Sequence, residues 1–214
     1  MTALELAGKP EDLLDEPVDL RLRGAGPNLT IVWRARVRDD DGRVWRASAG
    51  SAAGLDEGWK PAKPTEGVAA LRSLRPVRMD VRAETPDGRT ASRTVTRRLL
   101  ADGVRVRRWR PAGAVYLPAE DPLATIVLAP VDHAALAAAL LASRGVLVLV
   151  GGDEQAREQL AAVAGATEPR AVDDLPVPPG VPAAEGDAAA DAAAWDALLA
   201  ELGATPRRAT AAGT

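Results

Sequence analysis

Polar and apolar residues alternate strictly from Val18 to Arg23. Val18, Leu20 and Leu22 fall on one side of an extended chain, and Asp19, Arg21 and Arg23 on the other. A period of two marks a strand with one buried and one wet face. Gly24, Gly26 and Pro27 interrupt it. Ile31, Trp33, Ala35 and Val37 then form a second apolar row, opposed by Arg34, Arg36 and Arg38. Asp39-Asp40-Asp41-Gly42 reads as a hairpin turn, and Val44 to Ala49 runs back from it. Val77, Met79, Val81 and Ala83 alternate with Arg78, Asp80, Arg82 and Glu84. In Pro86-Asp87-Gly88 the proline presets φ and the glycine accepts a positive one, and the threonine-rich run from Thr90 to Arg97 follows as a strand. Short strands with frequent turns predict an antiparallel, immunoglobulin-like β-sandwich over residues 16–97, with Trp33 inward and residues 1–15 as a polar lead-in.

From residue 98 the pattern changes. Val104 to Trp109 and Ala114 to Leu117 read as strands about the turn at Pro111-Ala112-Gly113. Thr125 to Leu128 and Gly145 to Val150 are apolar on both faces, as parallel strands covered by helices are. Between them, residues 132–143 are rich in Ala and Leu, with Asp132 placed to cap a helix and Gly145 to stop it. This predicts a strand–helix–strand unit with parallel neighbours. Gly151-Gly152-Asp153 leads toward a second helix at about 154–164. Pro169, Pro176, Pro178, Pro179 and Pro182 mark 165–187 as a linker. Trp195, Leu198, Leu199 and Leu202 share one face of a helix over 188–203, and 204–214 reads as a disordered tail. The expected fold class is a two-part α+β chain, a sandwich followed by a small, incomplete α/β region at 98–164.

Composition narrows the choices. At 47% hydrophobic, 214 residues can bury a real core, although aromatics are 3% and Phe is absent. The net charge of −3 argues against general affinity for nucleic acid, although Arg far outnumbers Lys. The absence of Cys removes disulfides, thiolate metal ligands and a cysteine nucleophile. The first residues, MTALELAGKPEDLLDEP, lack the apolar run of a signal peptide, and Gly145 to Val150 is too short to span a bilayer. The expectation is a cytoplasmic protein with no metal, no cofactor and no nucleic-acid or membrane partner. Its oligomeric state is open.

The segment DEPVDLRLRG, the Gly-Pro turn after it and WRARVRDDDGRVWRASA resemble the N-terminal domain of the acyl-CoA thioester hydrolase / bile acid-CoA:amino acid N-acyltransferase family. The resemblance continues at LRSLRP (71–76) and at VTRRLLADGVR (95–105), and fades after about Val150. The alanine-rich helix around Trp195 is similar to that family's last helix. The resemblance implies a β-sandwich followed by an α/β-hydrolase domain, and acyl-CoA as the ligand. It also implies that both ends of the catalytic domain are present while the middle, which carries the catalytic residues, is missing.

Such a hydrolase needs a nucleophile on a strand-to-helix elbow, then an acid, then a histidine. No Gly-x-Ser-x-Gly or Gly-x-Cys-x-Gly occurs. Gly50-Ser51-Ala52-Ala53-Gly54 has its glycines at the wrong spacing and reads as a flexible turn. His133 is the only histidine, and it comes early in the chain beside Asp132. That pair reads either as a helix cap with a solvated neighbour or as a proton-transfer pair, the one catalytic candidate. Ala129-Pro130-Val131-Asp132 stands where the family carries a glycine-rich oxyanion loop. Gly151-Gly152-Asp153 lacks the further glycines or Lys-Ser/Thr of a phosphate cradle, and reads as an ordinary turn. Asp39-Asp40-Asp41 lacks the alternate spacing and distant Glu of a calcium loop, and reads as a solvated hairpin tip. Arg97, Arg98, Arg105, Arg107, Arg108 and Arg110, with Trp109, form a basic stripe. It reads either as a wet strand face or as a contact for CoA phosphates or nucleic acid, with Arg105, Arg107 and Arg108 as the candidates for CoA phosphates.

Three functions fit. The first is a catalytically degenerate relative of the thioester hydrolases that binds acyl-CoA or a protein. The second is an active thioester hydrolase or acyltransferase with a non-standard site at Asp132 and His133. The third is a structural sandwich that binds a protein partner and no small ligand.

Overall fold

The computed structural model describes residues 3–26, 29–50, 60–61, 68–108, 113–151, 158, 160, 169–183 and 188–204. Strands dominate them, and two helices are described along their length. The chain divides into two compact units. One contains Met1–Arg98 and Pro179–Ala189, the other Leu99–Pro178 and Ala190–Pro206.

The first unit is built from β1 (Glu5–Gly8), β2 (Glu11–Leu13), β3 (Leu20–Arg23), β4 (Val32–Arg38), β5 (Val44–Ala49), β6 (Lys60–Pro61), β7 (Val77–Glu84) and β8 (Thr90–Arg98). Six strands make one sheet in the order β2-β8-β7-β4-β5-β6, while β1 and β3 pair separately. Only β2 runs parallel to its neighbour, β8. The alternation fixes which face is dry. Trp33, Ala35 and Val37 on β4, Trp45 and Ala47 on β5, and Val77, Met79, Val81 and Ala83 on β7 are all buried. Trp33 is inward, as the apolar row predicts. Burying one indole of this kind contributes about 4–6 kcal/mol of transfer free energy before entropy is counted.

The aspartate triplet is a solvated tip only in part, because Asp40 and Asp41 are exposed whereas Asp39 is not. Asp39 is 5% exposed. Its Oδ2 accepts hydrogen bonds from the Trp45 indole (3.0 Å) and the Ala70 amide (3.3 Å), and its Oδ1 accepts from the Arg43 amide (2.8 Å). Asp40 accepts from the Ser73 amide (2.7 Å) and hydroxyl (2.9 Å), while Asp41 pairs with Arg43 and Arg72. The β4–β5 turn is thereby latched to the 70–73 segment. Leu74, next in the chain, holds φ +54, a left-handed value that a non-glycine residue keeps only where its surroundings over-determine it.

Residues 1–15 are not merely a lead-in, because β1 and β2 lie within them. Arginines on the inner face of β8 hold that segment by its carbonyls, which local polarity could not reveal. Arg97, 2% exposed, donates through Nη2 to the Leu14 carbonyl (2.8 Å) and to that of Glu16, and Arg93 donates to the Leu6 carbonyl (2.9 Å). The linker over 165–187 is likewise corrected. Residues 170–172 form a strand in the second unit, and the first unit takes up 179–183. The Ala69 amide donates to the Pro182 carbonyl (2.7 Å), and Val181 is buried. Prolines preset φ, so ordering this stretch costs less entropy than its loop-like composition implies.

The second unit holds β9 (Arg105–Arg108), β10 (Gly113–Leu117), β11 (Ala124–Leu128), β12 (Val146–Gly151) and β13 (Arg170–Val172) in the order β13-β11-β12-β10-β9. β11 runs parallel to β12 and β13, whereas β10 is antiparallel to β12 and β9. Helix α1 (Ala134–Ser143) joins β11 to β12 as predicted and is apolar on all sides, from Leu136 through Ala142. It packs on β12 and β10. Val115, Val127, Leu147, Leu149 and Leu160 form one buried cluster. The expected Asp132 cap is absent: His133 is the N-cap residue, and no side chain caps the helix. Gly145 ends it with φ +92. Helix α2 (Ala188–Glu201) buries Trp195, Leu198 and Leu199, with Leu202 just beyond.

Of the helix expected at 154–164, Glu158 and Leu160 are helical and the remainder lies outside the described residues. The same holds for the 204–214 tail beyond Ala204, which is buried. Among the described residues, no helix is long and apolar enough to cross a membrane.

Asp39→Ala is expected to lower stability by about 2–4 kcal/mol, because three donors lose their acceptor and one of them, the Trp45 indole, is fully buried. Equilibrium urea unfolding followed by tryptophan fluorescence measures it, and a loss below about 1 kcal/mol contradicts the latch. A second prediction concerns the β7–β8 turn. Hydrogen bonds from the Thr85 hydroxyl and then from Arg89 hold the Asp87 carboxyl below its ordinary value of 3.8. A depressed folded value stabilises the turn fully above the ordinary range and loses that stabilisation as pH falls through the lowered value. An NMR titration of the Asp87 carboxyl should therefore give a midpoint below 3.8 that rises in Arg89→Ala.

Candidate functional site

The residues that hydrolase chemistry would need are occupied otherwise. His133 Nε2 lies 3.0 Å from the Leu175 carbonyl and donates its proton there. Among the described residues, Asp132 makes no hydrogen bond to the ring. Asp132 is exposed. Ser143 is the last serine in the chain. Its hydroxyl donates to the Ala139 carbonyl (2.8 Å) and accepts from the Ala101 amide (2.8 Å). A serine needs a base within about 2.6–3.2 Å to become a nucleophile, and this one is spent on the backbone.

The basic stripe falls apart in three dimensions. Arg97 is buried as a backbone clamp, and Arg98 pairs with Glu11 at 3.0 Å. Arg105, Arg107 and Arg108 are exposed on β9, but the period of two divides them. Arg105 and Arg107 lie opposite Leu117 and Val115, while Arg108 shares the other face with Val106. Trp109 and Arg110 lie outside the described residues. In the core of the second unit, burial raises the Tyr116 phenol above its ordinary value, which suits a packing residue rather than an acid–base group. Among the described residues no cluster of three or more His, Asp or Glu could hold a metal ion.

What the strands do assemble is a broad basic surface. The outer face of the six-stranded sheet forms an open depression of about 980 Å³ lined by Arg34, Arg36, Arg46, Asp80, Arg82 and the hydroxyls of Ser48, Ser92 and Thr94. Register builds it. Arg36 stands opposite Arg46 across β4–β5 and opposite Asp80 across β4–β7, and Arg34 stands opposite Arg82. Like charges directly opposite each other on neighbouring strands destabilise a sheet. Two carboxylates offset part of this cluster. Glu84 pairs with Arg34, and Asp80 accepts from the Thr94 hydroxyl at 2.8 Å. Among the described residues, Arg36, Arg46 and Arg82 have no carboxylate within ion-pair distance. The alternating Arg34-x-Arg36-x-Arg38 was visible in the sequence as a wet face. That Arg46 and Arg82 stand beside it depends on pairing register, which no local pattern shows.

No protein-family model matches the chain, and no curated protein matches it.

Proposed function

We propose that the chain is a non-catalytic relative of the acyl-CoA thioester hydrolase / bile acid-CoA:amino acid N-acyltransferase family, one that binds and does not turn over. The observation that carries this reading is the commitment of the two groups nearest to catalysis. The only imidazole donates to the Leu175 carbonyl, and the last serine hydroxyl is tied to Ala139 and Ala101. A thioester cannot be opened by an unactivated hydroxyl that lacks an oxyanion hole. The architecture is compatible with the resemblance. The six-stranded sheet and the β1–β3 pair suit an immunoglobulin-like sandwich, and β11–α1–β12 in a mixed sheet suits a shortened hydrolase region. Binding, in contrast to turnover, needs only a complementary surface, and the arginine face supplies one.

Purified protein is expected to release no CoA from short-, medium- or long-chain acyl-CoAs above the buffer rate, and to resist labelling by a fluorophosphonate. His133→Ala should leave that background rate unchanged. Ser143→Ala should leave it unchanged too, while lowering stability by about 1 kcal/mol through loss of the acceptor for the Ala101 amide. Turnover that vanishes in His133→Ala would instead establish Asp132 and His133 as a working site.

A further inference from the structure

We propose that the outer face of the six-stranded sheet binds a small ligand carrying several phosphate groups in one chain, held by Arg36, Arg46 and Arg82. The proposal deepens the reading above, on which it rests, by naming the chemistry bound. Its warrant is the placement of positive charge where the fold gains nothing from it. Arg36 and Arg46 face each other across one strand pair, and Arg34 and Arg82 across the next. Of these four, among the described residues, only Arg34 has a carboxylate partner. The inner-face arginines behave differently: Arg93 and Arg97 are consumed by backbone carbonyls. Among the described residues, the Arg36, Arg46 and Arg82 guanidiniums therefore keep their donors for something outside the chain. A guanidinium presents a planar fork matched to phosphate oxygens, and several on one surface favour a ligand with several phosphates.

The spacing of the sheet supports a chain of charges. Neighbouring strands lie about 4.8 Å apart and alternate residues along one strand about 7 Å apart, so the arginines form a grid rather than a single pocket. Ser48 and Ser92 add hydroxyl donors on the same face. The depression has the size of a small-molecule site. A nucleic-acid strand is the alternative polyanion, and among the described residues this face offers no aromatic ring for such a strand to stack on. Proteins that hold single strands stack bases on aromatic rings, whereas the indoles of β4 and β5, Trp33 and Trp45, are both buried on the opposite face. The net charge of −3 also gives the chain no long-range attraction for a long polyanion.

Asp80 provides an internal control. It sits directly opposite Arg36 and carries the only carboxylate in the lining. Removing its charge should strengthen anion binding, whereas removing the arginines should weaken it. Both changes are on exposed positions, so the fold survives them.

Isothermal calorimetry of the full chain with inorganic tripolyphosphate, at about 50 mM salt to limit screening, tests the proposal. Wild-type protein should bind. Arg36→Ala with Arg46→Ala should weaken binding by about tenfold or more, and the corresponding lysine pair should recover part of it. Asp80→Asn should bind several-fold more tightly. Arg107→Ala, on β9, should leave the affinity unchanged. Without ligand, the melting temperature of the double alanine variant should match wild type or rise, since the Arg36–Arg46 like-charge pair is removed. Absence of tripolyphosphate binding overturns the proposal, as does an equal loss in Arg107→Ala, or tighter binding of a thymidine oligonucleotide than of tripolyphosphate. Acyl-CoA turnover would defeat the functional reading without altering this titration, so the two fail separately.

Discussion

One buried carboxylate organises the first unit. Asp39 joins the turn between β4 and β5, the Trp45 indole and the backbone at Ala70 through a single group. All three partners donate to it, which replaces the hydrogen bonds to water that it has lost. Trp45 can be wholly buried only because its N–H finds an acceptor there. With the turn fixed, the period of two along β4 and β5 carries the apolar row inward and the arginine row outward. A slip of one residue would exchange the faces. The position of every outer-face arginine thus depends on a contact made on the inner side of the sheet.

The strands of the first unit were legible because their alternation is strict: from Val77 to Glu84 buried apolar residues take turns with more exposed polar ones. The parallel pair β11–β12 was legible for a different reason. Two apolar runs around an alanine-rich helix leave few other arrangements. What escaped was long-range. Asp39 meets Ala70 across 31 positions and Arg97 meets Leu14 across 83, and neither end of these contacts looks unusual locally. An aspartate triplet before glycine has the composition of a wet turn, and a polar N-terminus has that of a loose end. The partners of both lie far along the chain, so neither role shows in the local residues.

The candidate site divides along the same line. Subtraction worked well, because the presence of one histidine and no cysteine is a fact about the whole chain. It pointed to Asp132 and His133 as the sole catalytic candidates, and the geometry turns His133 toward a carbonyl. Addition worked poorly. The arginines gathered by sequence proximity, 97 to 110, include a clamp, an ion pair and the two faces of one strand. Those gathered by pairing register, Arg34, Arg36, Arg46 and Arg82, come from three separate strands. Charge clusters on sheets are properties of register, so reading along the chain is the wrong direction in which to look for them.

The last strand of the mixed sheet has a consequence for crowded solutions. β9 ends that sheet, and all four of its residues are exposed. An edge strand of this kind invites a second molecule to continue the ladder. Here, a second copy would bring three arginines against three more, at strand spacings of about 4.8 Å. Repulsion at that distance lies inside the screening length of about 10 Å at 0.1 M salt, and it weakens as salt rises toward 1 M, where that length falls to about 3 Å. The arginines on this edge therefore oppose such pairing by charge, an effect that is strongest in dilute buffer.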